Sequence, residues 1–122
     1  MVNIEKARKN LDKAYKKRRK QVTERYNCAS ADCRAIVDMI VKRYHPTRII
    51  QWGSLLSPGQ FKEYSDIDLA VEGITEAEIF FKLLGDAMQL TRFPLDIVQM
   101  EKIEPEFAES IMQKGKVVYE RT

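Results

Sequence analysis

The stretch that decides the fold reads Arg48-Ile49-Ile50-Gln51-Trp52-Gly53-Ser54, a turn-rich segment around Ser57-Pro58-Gly59, then Asp66-Ile67-Asp68-Leu69-Ala70-Val71. Both ends are β-prone runs. The first stops at a glycine, and the second alternates polar and apolar before becoming wholly apolar and closing at Gly73. Side chains two apart on a strand share a face. Asp66 and Asp68 therefore project together, while Ile67 and Leu69 face the core. Two adjacent carboxylates raise one another's pKa unless a positive charge sits between them. Hard oxygen ligands without His or Cys suit Mg²⁺ or Mn²⁺ rather than zinc. The bland alternative is a pair of solvated carboxylates at a strand end.

Beyond this stretch, Thr75 and Glu78 have capping-box spacing. The helix they predict buries Ile79, Phe80, Leu83, Leu84, Ala87, Met88 and Leu90. Pro94-Leu95-Asp96-Ile97-Val98 is a third strand. An unpaired charge in so apolar a run is expensive, and a third metal ligand accounts for Asp96, with a salt-bridge partner as the alternative. A last helix starts near Pro105, carries Phe107 and Ile111, and ends at Gly115, before a short strand at Lys116-Val117-Val118-Tyr119.

Before the stretch, residues 3–26 contain no Gly or Pro and read as one long helix. Its apolar seam is thin: Ile4, Ala7, Leu11, Ala14, Tyr15, Val22 and Tyr26. Asn27 to Ala31 predicts a break, with Ser30 capping a second helix along Cys33, Ile36, Val37, Ile40, Val41 and Tyr44. That helix ends before Pro46. The order αα-β-β-α-β-α-β makes an α+β fold, a mixed sheet covered by helices. A helical extension over residues 1–45 precedes the body over residues 46–122.

The charge is unevenly spread. Residues 1–25 carry ten Lys/Arg against three acids, whereas the rest of the chain is net −4. A basic arm of this kind meets RNA, an acidic partner or only water, and a solvated face is the ordinary reading. With 122 residues and 44% hydrophobic content the chain makes one core. No apolar run approaches the ~18 residues of a membrane span. The start Met1-Val2-Asn3-Ile4-Glu5-Lys6 lacks a signal-peptide core, so a cytoplasmic location is expected. Cys28 and Cys33 make no disulfide framework, and a lone His45 excludes the usual zinc sets.

Gly53-Ser54 completes the constellation. A glycine after a strand lets backbone approach a ligand, and exposed N–H groups with the Ser54 hydroxyl can hold phosphate oxygens. A turn or helix cap is the alternative role for Ser54. Two cations at the three carboxylates, about 3.5–4 Å apart, would clamp the attacking and leaving oxygens of a phosphoryl transfer.

At Gly53-Ser54, Asp66-Ile67-Asp68-Leu69-Ala70-Val71 and Leu95-Asp96-Ile97-Val98 the sequence resembles the minimal nucleotidyltransferase family of the DNA polymerase β-like superfamily. The likeness runs from about Thr47 to Tyr119 and leaves out the basic arm. It implies a polymerase β-like palm, NTP binding, and transfer of a nucleoside monophosphate to a hydroxyl. It implies that Asp66 and Asp68 ligate two Mg²⁺ ions, Mn²⁺ being an alternative. Asp96 would ligate one and help deprotonate the acceptor, and Gly53 and Ser54 would hold the ATP triphosphate. The family often carries an Arg shortly after Gly-Ser; Leu55-Leu56-Ser57-Pro58-Gly59 has none, leaving Lys62 or Arg48 as substitutes. Such proteins commonly accompany a HEPN-domain toxin, whose tyrosine receives AMP, so an antitoxin role is implied. A lone palm of this size has little surface for a large acceptor, so the N-terminal helices are expected to dock the partner. A palm that neutralises by docking alone, and a small-molecule acceptor, are the alternatives.

Overall fold

A computed structural model describes residues 3–62 and 65–122. Met1 and Val2 of the start read above lie outside it, as do Glu63 and Tyr64 of the turn-rich segment. The elements are α1 (Ile4–Tyr44), β1 (Arg48–Trp52), two short 3-10 turns (Ser54–Leu56 and Pro58–Gln60), β2 (Ile67–Glu72), α2 (Ala77–Met88), β3 (Leu95–Gln99), α3 (Pro105–Lys114) and β4 (Lys116–Glu120).

The expected break at Asn27–Ala31 does not form: α1 is one continuous helix of 41 residues. Asn27 and Ser30 each cost a helix interior only a few tenths of a kcal/mol. Ala29 and Ala31 beside them are strong formers, and burial of Ala29, Cys33, Ile36 and Ile40 outweighs that cost. The helix starts at Asn3, whose side chain accepts from the Lys6 N–H at 3.0 Å. It ends where Pro46 forbids helical geometry, with His45 in the left-handed region at φ 52°.

The sheet order is β3-β2-β1-β4. β1 is antiparallel to both neighbours and β2 is parallel to β3, the crossover being α2. The expected mixed sheet is thus what forms. Strand alternation sorts its two faces. Ile49, Ile67, Leu69, Val71 and Ile97 join the second half of α1 and Phe80, Leu83 and Ala87 of α2 in the main core. Ile50 and Ala70 face the other way, with Ile111 of α3 and the half-buried Trp52, Val98 and Ile103.

The stripe on α2 is narrower than its sequence suggests, since Ile79, Met88 and Leu90 are exposed. The Thr75 capping box is also absent: Glu76 is the N-cap and makes no side-chain cap bond. Buried Ile74 anchors the chain just before, and the helix begins at Ala77, one residue too late for Thr75 to cap it.

The first half of α1 stands off the core. Ile4, Leu11, Tyr15 and Val22 are exposed, yet at 100° per residue they fall within ~40° of the line through Ala29, Cys33 and Ile40. One helix face is therefore buried at one end and bare at the other. Ile40→Ala is expected to cost about 2–4 kcal/mol and Leu11→Ala less than about 0.5 kcal/mol. Urea unfolding followed by circular dichroism measures both.

Candidate active site

The three predicted carboxylates come together at one end of the sheet. Asp68 sits in β2 with Asp96 as its register partner on β3 and Trp52 as its partner on β1. Neighbouring strands are ~4.8 Å apart, so these three form one row across the sheet. The row lies on the face that Ala70 and Ile50 share with α3. Asp66 immediately precedes β2, and its charge adds to the upward push on the pKa of both other carboxylates.

Asp68 is the single buried charged residue of the described chain, 8% exposed. Burial first, then Asp96 and then Asp66, push its pKa up to about 7. Burial and then Asp66 raise Asp96 as well. Among the described residues no cation or hydrogen-bond donor pairs with Asp66, Asp68 or Asp96. Carboxylates set in one row without a counter-charge have oxygens that suit a hard divalent ion. Among the described residues no group of three or more His, Cys, Asp or Glu side chains is placed to hold a metal ion by itself. Mg²⁺ rarely uses all-protein cages: it takes one or two carboxylates and fills its octahedron with water and substrate phosphates. The donor set therefore fits an ion that arrives with a polyphosphate.

Gly53 has a structural reason that the sequence does not disclose. Its φ of 79° with ψ −163° is backbone that only glycine adopts readily. A Cβ on it would lie 2.1 Å from Asp68 Oδ2 and 2.9 Å from Asp68 Cγ. The turn after β1 is thus folded directly onto the buried carboxylate. Ser54 opens the 3-10 turn that follows. Gly53 and Ser54 line a concavity of about 710 Å³ together with Ser57, Gln60, Lys62 and Lys114.

Of the two substitutes considered for the absent Arg, the structure removes Arg48. It stands at the opposite end of β1 from Gly53, its Nη2 2.6 Å from Glu72 Oε2 and its Nη1 3.9 Å from Glu120. Lys62 remains in place. Lys114 was not legible: its only local signal is that it precedes Gly115, and nothing in the sequence says that α3 ends beside β1. Trp52, the register partner of Asp68, also packs against the smaller core cluster. It packs edge-on against Phe107, ring centroids 5.3 Å apart, and its indole Nε1 is buried without a partner among the described residues. Phe107 is 39% exposed. Cys33 is buried and Cys28 exposed; burial pushes the Cys33 thiol up to about 11, and the nearby Asp68 charge adds to that rise.

The family described as Polymerase beta, Nucleotidyltransferase matches residues 35–122. Among solved structures, a chain of the toxin–antitoxin complex MntA–HepT is similar at 15% identity, with 75% of this chain and 73% of that one covered and a TM-score of 0.58. A chain of a toxin–antitoxin complex with AMP-PNP gives 18% identity, 72% and 73% coverage, and a TM-score of 0.59. At these identities the likeness is one of fold. No curated protein matches the chain.

Proposed function

The chain belongs to the polymerase beta nucleotidyltransferase family, and from that premise we propose that it transfers AMP from ATP to a protein hydroxyl, a tyrosine of a HEPN-domain toxin, as that toxin's cytoplasmic antitoxin. The observation that carries this reading is the row Asp96–Asp68 with Asp66 beside it, uncompensated and folded against Gly53. Asp66 and Asp68 would hold two Mg²⁺ or Mn²⁺ ions and Asp96 one of them. The bound cations supply Lewis acidity to the α-phosphate and a lowered pKa to the acceptor hydroxyl. Asp96 takes the hydroxyl proton. The acceptor oxygen forms a bond to the α-phosphorus as the bond to the β-phosphate oxygen breaks, and pyrophosphate leaves. Gly53 and Ser54 steady the phosphates through backbone N–H groups and the Ser54 hydroxyl.

The partner reading draws on the fold's likeness to chains of toxin–antitoxin complexes and on the bare face of α1. That face sets Ile4, Leu11, Tyr15 and Val22 among a dense run of Lys and Arg. A seam of this kind suits a partner with an apolar strip bordered by acids. Removing residues 1–21 is expected to leave the carboxylate body folded and to weaken partner binding at least tenfold, read by titration calorimetry. Unchanged affinity would take α1 out of the interface.

The test of the activity is incubation with ATP labelled at the α-phosphate, Mg²⁺ and the product of the neighbouring reading frame. Label on the partner's tyrosine, lost in Asp66→Asn, supports the reading. Neutralisation of the partner that survives Asp66→Asn, with no label transferred, supports the docking alternative. The missing Arg after Gly53-Ser54 is the observation that favours that alternative.

A further inference from the structure

We infer that Lys114, at the end of α3, together with Lys62 forms the cationic clamp for the β- and γ-phosphates in this chain, in place of the absent Arg. The inference rests on the nucleotide reading above and identifies which side chains meet the polyphosphate.

Residues 55–61 contain no cation, and Arg48 is engaged by Glu72 and Glu120 at the other end of β1. The β- and γ-phosphates of a nucleotide carry most of its negative charge. Their charge calls for donors outside the carboxylate row. The concavity beside Gly53 and Ser54 supplies them: among the described residues its lining includes hydroxyls, an amide and two ammonium groups, and no carboxylate. An acidic row next to a basin of this sign is the arrangement that a polyphosphate carrying divalent ions fits.

Lys114 is brought there by a close backbone contact rather than by chance exposure. Gly115 ends α3, its N–H donating to the Ile111 carbonyl at 2.8 Å. A Cβ on Gly115 would lie 2.7 Å from Ile50 Cγ2 and 2.9 Å from the Gln51 carbonyl oxygen. The missing side chain lets the helix end close onto β1 two residues before Gly53, and Lys114 is held at the rim by that closure. Neither Lys62 nor Lys114 has an ion-pair partner among the described residues. The competing role for Lys114 is simply to complement the negative end of the α3 dipole.

Titration calorimetry with ATP, inorganic tripolyphosphate and AMP, each with Mg²⁺, separates the two. Lys114→Ala is expected to weaken ATP and tripolyphosphate about tenfold and AMP less than about twofold. Lys114→Arg should recover most of the affinity, and Lys62→Ala with Lys114→Ala together should lose about a hundredfold. In turnover the KM for ATP should rise more than kcat falls. Thermal melting of each variant without ligand checks that it is folded. Wild-type protein that binds ATP, with Lys114→Ala binding ATP and tripolyphosphate equally well, overturns the clamp and leaves the nucleotide reading intact. Equal losses for ATP and AMP would also overturn it. Wild-type protein that binds neither ATP nor tripolyphosphate overturns the nucleotide reading and the clamp with it.

Discussion

Asp68→Asn is expected to abolish nucleotidyl transfer while making the metal-free protein more stable at alkaline pH. In the proposed role, with both cations held, Asp68 would contribute several kcal/mol to the transition state, on the order of 10³-fold or more in rate. Its stability effect runs the other way because Asp68 is buried beside two like charges. Its pKa rises from an ordinary 3.8 to about 7 in the fold. A raised pKa means that the folded state binds the proton more tightly than the unfolded chain. The stabilisation from that proton is complete below about pH 4 and is lost as pH climbs through about 7. In EDTA at pH 8 the wild-type protein therefore carries an uncompensated buried charge. The amide removes it, for a gain on the order of 1–3 kcal/mol. At pH 4 the two proteins should differ little. Adding Mg²⁺ and ATP at pH 8 should restore the wild-type protein and leave Asp68→Asn unchanged. Urea unfolding at both pH values, with and without Mg²⁺ and ATP, measures all four terms. Transfer by Asp68→Asn within tenfold of wild type, or lower stability in EDTA at pH 8, would contradict this account of the residue.

Gly53→Ala carries the second large effect. The substitution meets two obstacles at once, a φ of 79° that disfavours any side chain and an Asp68 oxygen 2.1 Å from the new Cβ. The backbone strain alone costs about 1–3 kcal/mol. Relief of the clash must move either the turn or the carboxylate, and a displacement of ~1 Å in a reacting geometry costs on the order of 100-fold in rate. The two parts are separable. Asp68→Ala removes Oδ2 and Cγ, the two nearest atoms, and leaves Asp68 Cβ 3.2 Å away. Gly53→Ala should then destabilise the Asp68→Ala background less than it destabilises wild type, by about 1 kcal/mol or more in a double-mutant cycle. Additive effects would mean that the turn is not folded against the carboxylate.

These two residues also show what was legible in the sequence. The period-two pattern of Asp66-Ile67-Asp68-Leu69 places the carboxylates and the core correctly, because strand alternation is set by local geometry. Asp96 was legible because a charge in an apolar run calls for a partner. The parallel register that sets Asp96 beside Asp68 is a tertiary fact, fixed by the length of α2 and the packing of Leu83 and Ala87 beneath the sheet. Gly53 was marked for a close backbone approach to a ligand; its packing against Asp68 was not legible, because it depends on how the turn after β1 folds back onto β2. The unbroken α1 was missed because propensity at Asn27 and Ser30 is weak beside the burial of the residues around them. Lys114 was invisible because its place depends on how closely Gly115 lets α3 approach β1.

The central claim is that Asp66, Asp68 and Asp96 share bound cations beside the Gly53-Ser54 turn. Crystals grown with Mn²⁺ and a non-hydrolysable ATP analogue, measured at the manganese absorption edge, test it most directly. Anomalous peaks are expected about 2.0–2.2 Å from oxygens of all three carboxylates, with the polyphosphate lying against Gly53 and Ser54. Manganese bound elsewhere, or a nucleotide seated with no ion at Asp68, would contradict the claim.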